Sequence, residues 1–226
     1  MKKLILLLTA FLLTIPLVQA QETRIGLKGG VNFSDLSNTK ANKDKIRYKL
    51  GSHAGAFLYI PMSSPFFAIQ PEIIYSRKGY ENTGQLVEIR DNQENLLYSA
   101  QNGGLVRLNY IDLPVMFTFK SSIIIFEIGP QVSMLVGVRD DSFVQQTFPD
   151  GTVVNTPLTR FSRRAVRKID LGLATGFRLQ TENGASMGIR FNQGFLKIPA
   201  GITDTALPPD GLNQVFQIFG GYILPF

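Results

Sequence analysis

The sequence predicts an all-β protein, an eight-stranded antiparallel up-and-down transmembrane β-barrel. Three observations predict it. Apolar and polar residues alternate with a period of two along most of the chain after residue 22. Short and long connections follow one another in turn, and the glycines of the strands fall on the polar face. Together these features are typical of a barrel with a polar interior and an apolar outer wall.

The N-terminal segment has the pattern of a secretory signal peptide. Two lysines precede an apolar run at residues 4–13, and the small residue Ala20 ends the segment. A membrane-spanning helix needs about 20 apolar residues, and Pro16 interrupts this run. We therefore expect a signal peptide at residues 1–20 and a barrel domain at residues 21–226.

The predicted strands follow in order. They lie at residues 23–34, 52–60, 67–78, 110–120, 125–137, 169–180, 186–195 and 213–226. Three prolines fall inside them, where we expect bulges or relaxed pairing: Pro71, Pro114 and Pro130. The connections at 61–65, 120–122 and 181–184 are short, whereas those near 35–50, 81–104, 139–166 and 197–211 are long. Bacterial outer-membrane barrels have short periplasmic turns and long external loops, so we expect both termini in the periplasm of a Gram-negative cell.

The glycines indicate which face points inward. Ten of them share the polar face: Gly26, Gly30, Gly55, Gly129, Gly137, Gly172, Gly176, Gly188, Gly194 and Gly221. On a solvent-exposed face Gly would only weaken the strands. The interior of an eight-stranded barrel is barely wide enough for side chains, so Gly suits it. We infer that the polar face lines the barrel and the apolar face meets lipid, which disfavours a soluble lipocalin-like barrel.

Composition narrows the function classes. The chain has one His and no Cys, which leaves few arrangements for a zinc site. Without Lys2 and Lys3, 21 basic and 17 acidic residues remain, a net charge of +4. This charge is too small to indicate a nucleic-acid partner. We expect no metal, no cofactor and no nucleic acid.

Charged residues of the inward face form the first candidate site. They are Arg24, Lys28, Glu72, Lys78, Asp112, Glu127, Asp170, Arg178 and Arg190. Two carboxylates such as Glu72 and Glu127 could act as acid and base. Charges in a narrow, poorly hydrated lumen must pair to be tolerated, so we interpret them instead as a polar plug that blocks conduction.

A lipid-modifying enzyme, either an acyl hydrolase or an acyltransferase, is the catalytic alternative. It would have to use His53, the only imidazole, which we place on the inward face near the outer rim. Ser52 points to the opposite face, and the chain has no G-x-S-x-G motif. We therefore expect a protein without catalytic activity.

The long loops suggest binding partners. Two of them are basic, and their candidate contacts to the anionic glycolipid of the outer leaflet are Lys43, Lys45, Arg47, Arg160, Arg163, Arg164 and Arg167. Lys49 falls in the same basic run. Loop 81–104 is mildly acidic and alternates internally, which predicts a hairpin that projects from the membrane. The edge of such a hairpin favours strand addition by a protein partner.

The last predicted strand ends with apolar residues in alternation. Tyr222 and Phe226 share its lipid-facing side. A terminal Phe after such a pattern resembles the signal read by the barrel assembly machinery of bacterial outer membranes. We expect Tyr222 and Phe226 to be that assembly signal.

Five blocks carry a resemblance to a known family. "IGLKGGVNFS", "HAGAFLYIP", "IQPEIIYSRKGY", "LNYIDLPVMFTF" and "GPQVSMLVG" are similar to the PorT-type outer-membrane β-barrel family. The resemblance covers nearly the whole chain after residue 22 and implies an eight-stranded outer-membrane barrel. The family's namesake takes part in protein secretion, so the resemblance favours a membrane scaffold or interaction protein that assists secretion. A small pore and an adhesin are the further alternatives.

Overall fold

The computed structural model describes residues 23–37, 46–62, 66–158, 166–199 and 211–224. The predicted signal peptide at residues 1–20 lies outside these ranges, as does Phe226. In the described ranges no helix is both long and apolar enough to cross a membrane.

Ten β-strands make up the described chain. They are β1 (Arg24–Ser37), β2 (Ile46–Arg47), β3 (Lys49–Pro61), β4 (Phe67–Arg90), β5 (Leu96–Ser121), β6 (Ile124–Thr147), β7 (Val153–Leu158), β8 (Ile169–Gln180), β9 (Ala185–Lys197) and β10 (Leu212–Ile223). The eight predicted strands correspond to all of these except β2 and β7. The alternation did not predict those two short strands, nor did it predict the full length of β4, β5 and β6.

Eight of the strands close into an antiparallel ring. β1 pairs with β3, and the pairing continues through β4, β5, β6, β8, β9 and β10 back to β1. The two short strands lie outside the ring, β2 beside β4 and β7 beside β6. The predicted all-β antiparallel fold is confirmed, and the ring contains the predicted number of strands.

The two faces of the ring differ as the alternation predicts. In β6, residues Glu127, Gln131 and Ser133 are buried, while their neighbours are exposed or half-buried. Outward apolar side chains are far more exposed than a packed core allows: Leu27 is 54% exposed and Phe177 is 54% exposed. Near the short turns, five outward rings approach one another with centroids 5.2–6.3 Å apart: Phe67, Phe117, Phe119, Phe126 and Phe177. Aromatic girdles of this kind mark membrane interfaces in barrels.

The three mid-strand prolines relax the pairing without shifting it. Pairs are missing beside Pro71 between β3 and β4, but the register is the same on both sides of the gap. The same holds beside Pro114 between β5 and β6. The irregularities lie elsewhere, at Thr83/Leu86, Ile89/Arg90, Asn109/Tyr110 and Leu212/Gln214. Of the two expectations for the prolines, relaxed pairing is confirmed and bulges are not, because a missing N–H removes one ladder bond and adds no residue.

A small sheet extends beyond the ring at the end opposite the short turns. β4 and β5 remain paired out to Arg90 and Leu96, so residues 81–104 form the predicted hairpin. β6 follows β5 out to Thr147, and β7 adds a fourth strand. We call residues 81–104, 139–147 and 153–158 the projecting sheet.

Candidate functional site in the barrel interior

A charged cluster occupies the half of the interior nearer the short turns, with Arg190 of β9 at its centre. Its guanidinium donates from Nη1 and Nη2 to the two carboxylate oxygens of Glu72, at 2.7 and 2.8 Å. Nε donates to Oε1 of Glu127 at 2.7 Å. One arginine on β9 therefore joins Glu72 of β4, across the ring, to Glu127 of β6, because its planar fork matches both carboxylates.

Three further groups complete this cluster. Lys28 Nζ lies 3.4 Å from Glu72 Oε2, and Gln70 donates to the same carboxylate at 2.6 Å. Arg178 donates to Gln70 Oε1 at 2.8 Å and lies 3.8 Å from Glu127. Three cations thus meet two carboxylates, so the cluster carries a formal net charge of +1.

Buried aromatic rings and glycines make room for these charges. Lys28 Nζ lies 3.9 Å from the ring centroid of Phe219, a distance suited to a cation–π contact. In the ladder Lys28 stands beside Gly55 and Gly221. The same arrangement recurs at Arg190, opposite Gly176, and at Arg178, opposite Gly188. Each long cation has at least one neighbour without a side chain, which explains why the polar face is rich in Gly.

A second polar group lies nearer the projecting sheet. Lys78 donates to Asp112 Oδ1 at 2.8 Å and to Ser133 Oγ at 3.3 Å. Asp170 accepts from Asn213 Nδ2 at 2.9 Å and from the backbone N–H of Leu196 at 3.2 Å. The cavity between these groups measures about 10 Å³, which is room for about one water molecule.

His53 points into the interior of the ring, as predicted, but it belongs to a buried hydrogen-bond group and is not accessible at the rim. It is 3% exposed, and its Nδ1 donates to Asn32 Oδ1 at 2.7 Å. Asn32 Oδ1 also accepts from Gln217 at 2.9 Å, and its Nδ2 donates to Ser76 Oγ at 3.0 Å. In the described part of the chain no carboxylate or hydroxyl is bonded to the imidazole, and its Nε2 has no partner. This arrangement contains neither an activated nucleophile nor access for a lipid substrate.

An apolar cluster closes the interior below the projecting sheet. It consists of Leu36, Tyr80, Val106, Leu108, Tyr110, Leu135, Val166 and Ile198, with Val138 packed against it. These residues come from six of the ring strands and their flanks. Polar groups near the short turns and apolar groups near the projecting sheet thus fill the ring in successive layers.

Two cations lie elsewhere than predicted. Arg24 is exposed at the first position of β1, because the strand begins there and its side chain has passed the end of the lumen. Lys49, assigned to a basic external loop, is buried at the start of β3 and donates to the backbone carbonyl of Lys78 at 3.1 Å. The ladder pairs Lys49 with Ser34, so its side chain points inward.

The remaining predicted residues divide into two sets. Arg47 and Arg167 are exposed, and Tyr222 is exposed on the outward face of β10. The other predicted glycolipid contacts lie outside the described residues: Lys43, Lys45, Arg160, Arg163 and Arg164. Among the residues the structure describes, no group of three or more His, Asp or Glu is placed to hold a metal ion.

Sequence reasoning missed the uncharged partners of the interior. Gln70, Asn32, Gln217 and Asn213 are all buried and hydrogen-bonded to the residues above. Each sits at an inward position of the period-two pattern, so the alternation could have identified them. Amides belong with the inward charges because they supply both donors and acceptors to buried charged groups.

Comparison with known proteins gives one family match and several structural likenesses. Residues 19–198 match a family described as outer membrane protein beta-barrel domain. Neisserial surface protein A (NspA) shares 11% identity with the chain, over 88% of this chain and 96% of that one, with a TM-score of 0.45. Ail, the attachment invasion locus protein of Yersinia pestis, shares 9% identity over 90% of this chain and 100% of its own, with a TM-score of 0.46.

A second structure of Ail, in complex with the heparin analogue sucrose octasulfate, shares 8% identity over the same fractions, with a TM-score of 0.44. At such low identities the likeness concerns the fold alone. None of the curated proteins compared matches the chain in sequence.

Proposed function

The chain belongs to the family of outer membrane protein β-barrel domains, and from this premise we propose that it is a non-conducting membrane anchor for an exposed protein-binding sheet. In this proposal the eight-stranded ring spans the outer membrane in up-and-down topology. The short turns face the periplasm, and the projecting sheet stands outside the cell. The protein performs no catalysis.

The filled interior supports the absence of conduction. Arg190, Glu72 and Glu127 are fully buried at the centre of one layer, and the apolar cluster closes the next. Moving an ion through these layers would require breaking buried ion pairs or displacing packed apolar side chains, both of which are costly. A small pore is therefore disfavoured.

One edge of the projecting sheet, which no described strand pairs, is the observation that carries the proposed role. β4 beyond Asn82 pairs with β5 on one side, and the described part of β2 pairs with β4 as far as Asn82. On the other side of residues 86–90, no strand in the described chain pairs with β4. Leu86 and Val87 are 56% and 50% exposed there. A backbone edge flanked by apolar side chains favours an extended segment of another protein, which would add as a further strand.

The resemblance to the PorT-type family favours a partner from the protein-secretion machinery. An adhesin would use the same projecting sheet with a partner on another cell. The catalytic alternative gains nothing from the buried position of His53. The identity of the partner distinguishes the secretion role from the adhesin role, and crosslinking from the projecting sheet can identify that partner.

Two measurements test this proposal. Planar-bilayer recordings of the refolded protein should show no stable conductance, and open channels would refute the plugged interior. A photocrosslinking residue at Val87 should capture a discrete protein from intact cells, whereas the same probe at the outward, lipid-facing Leu171 should not.

A shortened variant is the matched control. Thr83 and Gly103 are partners in the ladder, so an Asn-Gly turn can replace residues 84–102. This variant should keep the heat-modifiable migration of a folded barrel and lose activity in secretion or adhesion assays. If it retains full activity in secretion or adhesion assays, the projecting sheet is not the functional surface.

A further inference from the structure

The outward face of five adjacent strands changes from apolar to cationic at the end that carries the projecting sheet. On β4 the outward residues from Phe67 to Tyr75 are apolar, and the next outward residue is Arg77. On β5 the apolar residues end at Ile111, and Arg107 follows after Asn109. The corresponding residues are Arg139 on β6, Arg167 just before β8 and Lys197 at the end of β9. We call these five residues the cationic arc.

The members of the arc lie on strands that are neighbours in the ring. Arg107 and Arg139 are direct ladder partners, and Arg77 pairs with Asn109, two residues from Arg107. Arg167 donates from Nε to the backbone carbonyl of Lys197 at 3.1 Å, which holds those two residues side by side. Cross-strand and diagonal neighbours in a sheet are close enough to contact one ligand together.

The charge of the arc is only partly neutralised. Asp141 bridges two of its members, 3.3 Å from Arg107 Nη2 and 3.1 Å from Arg139 Nε. Arg77 stacks over the outward ring of Tyr75 at 5.9 Å. Counting Asp141 against Arg77, Arg107 and Arg139, these four described residues carry a formal charge of +2.

Among the described residues, the two strands β10 and β1 carry no cation at the corresponding outward positions, where Gln214 and Asp35 are ladder partners. The five residues of the arc lie directly above the apolar wall. A ligand held there would have phosphate-like groups at the level of the arginines and hydrocarbon alongside the strands below.

We propose that the cationic arc binds the phosphorylated headgroup of a lipid A-type glycolipid in the outer leaflet. The inference rests on the proposed transmembrane orientation, which sets the arc at the outer membrane surface. Arginine forks bind phosphate oxygens in pairs, and cations at a membrane surface attract anionic lipids. The site is open on its lipid side, which suits an anchored lipid and offers no enclosure for a free anion. Four of its residues, Arg77, Arg107, Arg139 and Lys197, lie on the strands themselves, and only Arg167 belongs to the basic loops singled out in the sequence.

The test compares two double variants of equal charge change in the protein refolded in detergent. Arg77→Gln with Arg107→Gln removes two members of the arc and leaves Arg139 paired with Asp141. Arg24→Gln with Arg90→Gln removes two exposed cations outside the arc and serves as the control. Binding of diphosphoryl lipid A is measured by native mass spectrometry. The arc variant should bind about tenfold more weakly or worse, and the control should stay within about twofold.

Two further ligands, tested on the wild-type protein, show whether the arc recognises the phosphate groups of the lipid. These measurements do not require the variants to fold. Wild-type protein should bind dephosphorylated lipid A about tenfold more weakly than the diphosphoryl form, and inorganic phosphate should show no saturable binding. Equal binding of the two lipids, or equal losses in the two variants, would overturn the inference. Saturable binding of inorganic phosphate would make the arc a free-anion site and refute the lipid assignment. If the wild-type protein forms a heat-modifiable, membrane-inserted barrel but does not prefer diphosphoryl lipid A over the dephosphorylated form, only this inference is refuted. If the protein does not insert, the proposed function is refuted.

Discussion

Replacing Glu72 by Gln is expected to be one of the most destabilising single changes in the barrel. The carboxylate accepts two bonds from Arg190 at 2.7 and 2.8 Å, and it faces Lys28 at 3.4 Å. Glu72→Gln raises the formal net charge of the buried cluster from +1 to +2. Removing one partner of a buried ion pair typically costs about 3–5 kcal/mol, and we expect a loss of that size in the free energy of unfolding.

Denaturant unfolding of the refolded barrel measures this loss, with heat-modifiable migration as an independent readout of folding. Glu88→Gln is the matched control, because Glu88 pairs with Arg90 at 2.6 Å while both side chains are about half exposed. That change should cost less than about 1 kcal/mol. Equal effects of the two substitutions would show that burial does not govern the strength of the pair.

A double variant sharpens the argument. Glu72→Gln with Arg190→Met returns the cluster to a net charge of +1, and Glu127 keeps Arg178 nearby. The double variant should therefore be less destabilised than the sum of the single variants, with a coupling of about 1–3 kcal/mol. Strict additivity would refute the view that the two residues act as one buried pair.

Three smaller predictions concern glycine packing and the tip of the projecting sheet. Gly26→Ala should cost about 1–3 kcal/mol in denaturant unfolding, because its Cβ would lie 2.2 Å from the Phe57 ring, whereas Gly220→Ala has no neighbour closer than 3.9 Å and should be nearly neutral. Glu94 has a φ of 66°, a backbone conformation that Gly adopts without strain. Glu94→Gly should therefore raise the free energy of local opening at the tip by up to about 1 kcal/mol and slow hydrogen exchange there. Faster exchange would contradict this. Hydrogen bonds from the side chain and backbone of Asn95 lower the pKa of Asp91. The tip should therefore be ordered at pH values above the usual pKa range of Asp, and it should loosen as the pH falls through the lowered pKa. An NMR titration of Asp91 that gives an ordinary value of about 3.9 would contradict the last prediction.

Period-two alternation was sufficient to predict the ring strands and their inward charges. In the ring strands, inward residues face the polar lumen and outward residues face lipid. Because the two environments differ so strongly, the alternation of polar and apolar residues is strong there. It weakens beyond Tyr80, where β4 leaves the ring, residues on both of its faces become exposed and they no longer need to alternate. The projecting part of β4 and β5 was for that reason predicted as a hairpin without defined strand ends, and the projecting part of β6 as the beginning of a long loop.

The individual errors have a common physical origin. Lys49 lies in a run of basic residues that reads as a loop, and only the ladder with β1 shows that its side chain turns inward. His53 was placed by counting residues from the strand end, but its depth depends on strand tilt and on how far β4 continues. Both are properties of long-range pairing between strands, and local composition does not contain them.

The seam between β1 and β10 determines how the molecule forms and how long it lasts. Twelve residue pairs join these strands, from Gly26 with Ile223 to Ser37 with Leu212, and nearly all of the described chain lies between the partners. Bringing such distant segments together is slow, so seam closure should be a late and rate-limiting event in folding. Once the seam is closed, the ring has no terminal strand from which unpairing can start, because β1 and β10 are each held on both sides. Unfolding must then break a whole row of hydrogen bonds at once, which should give the folded barrel a long lifetime even where its equilibrium stability is modest.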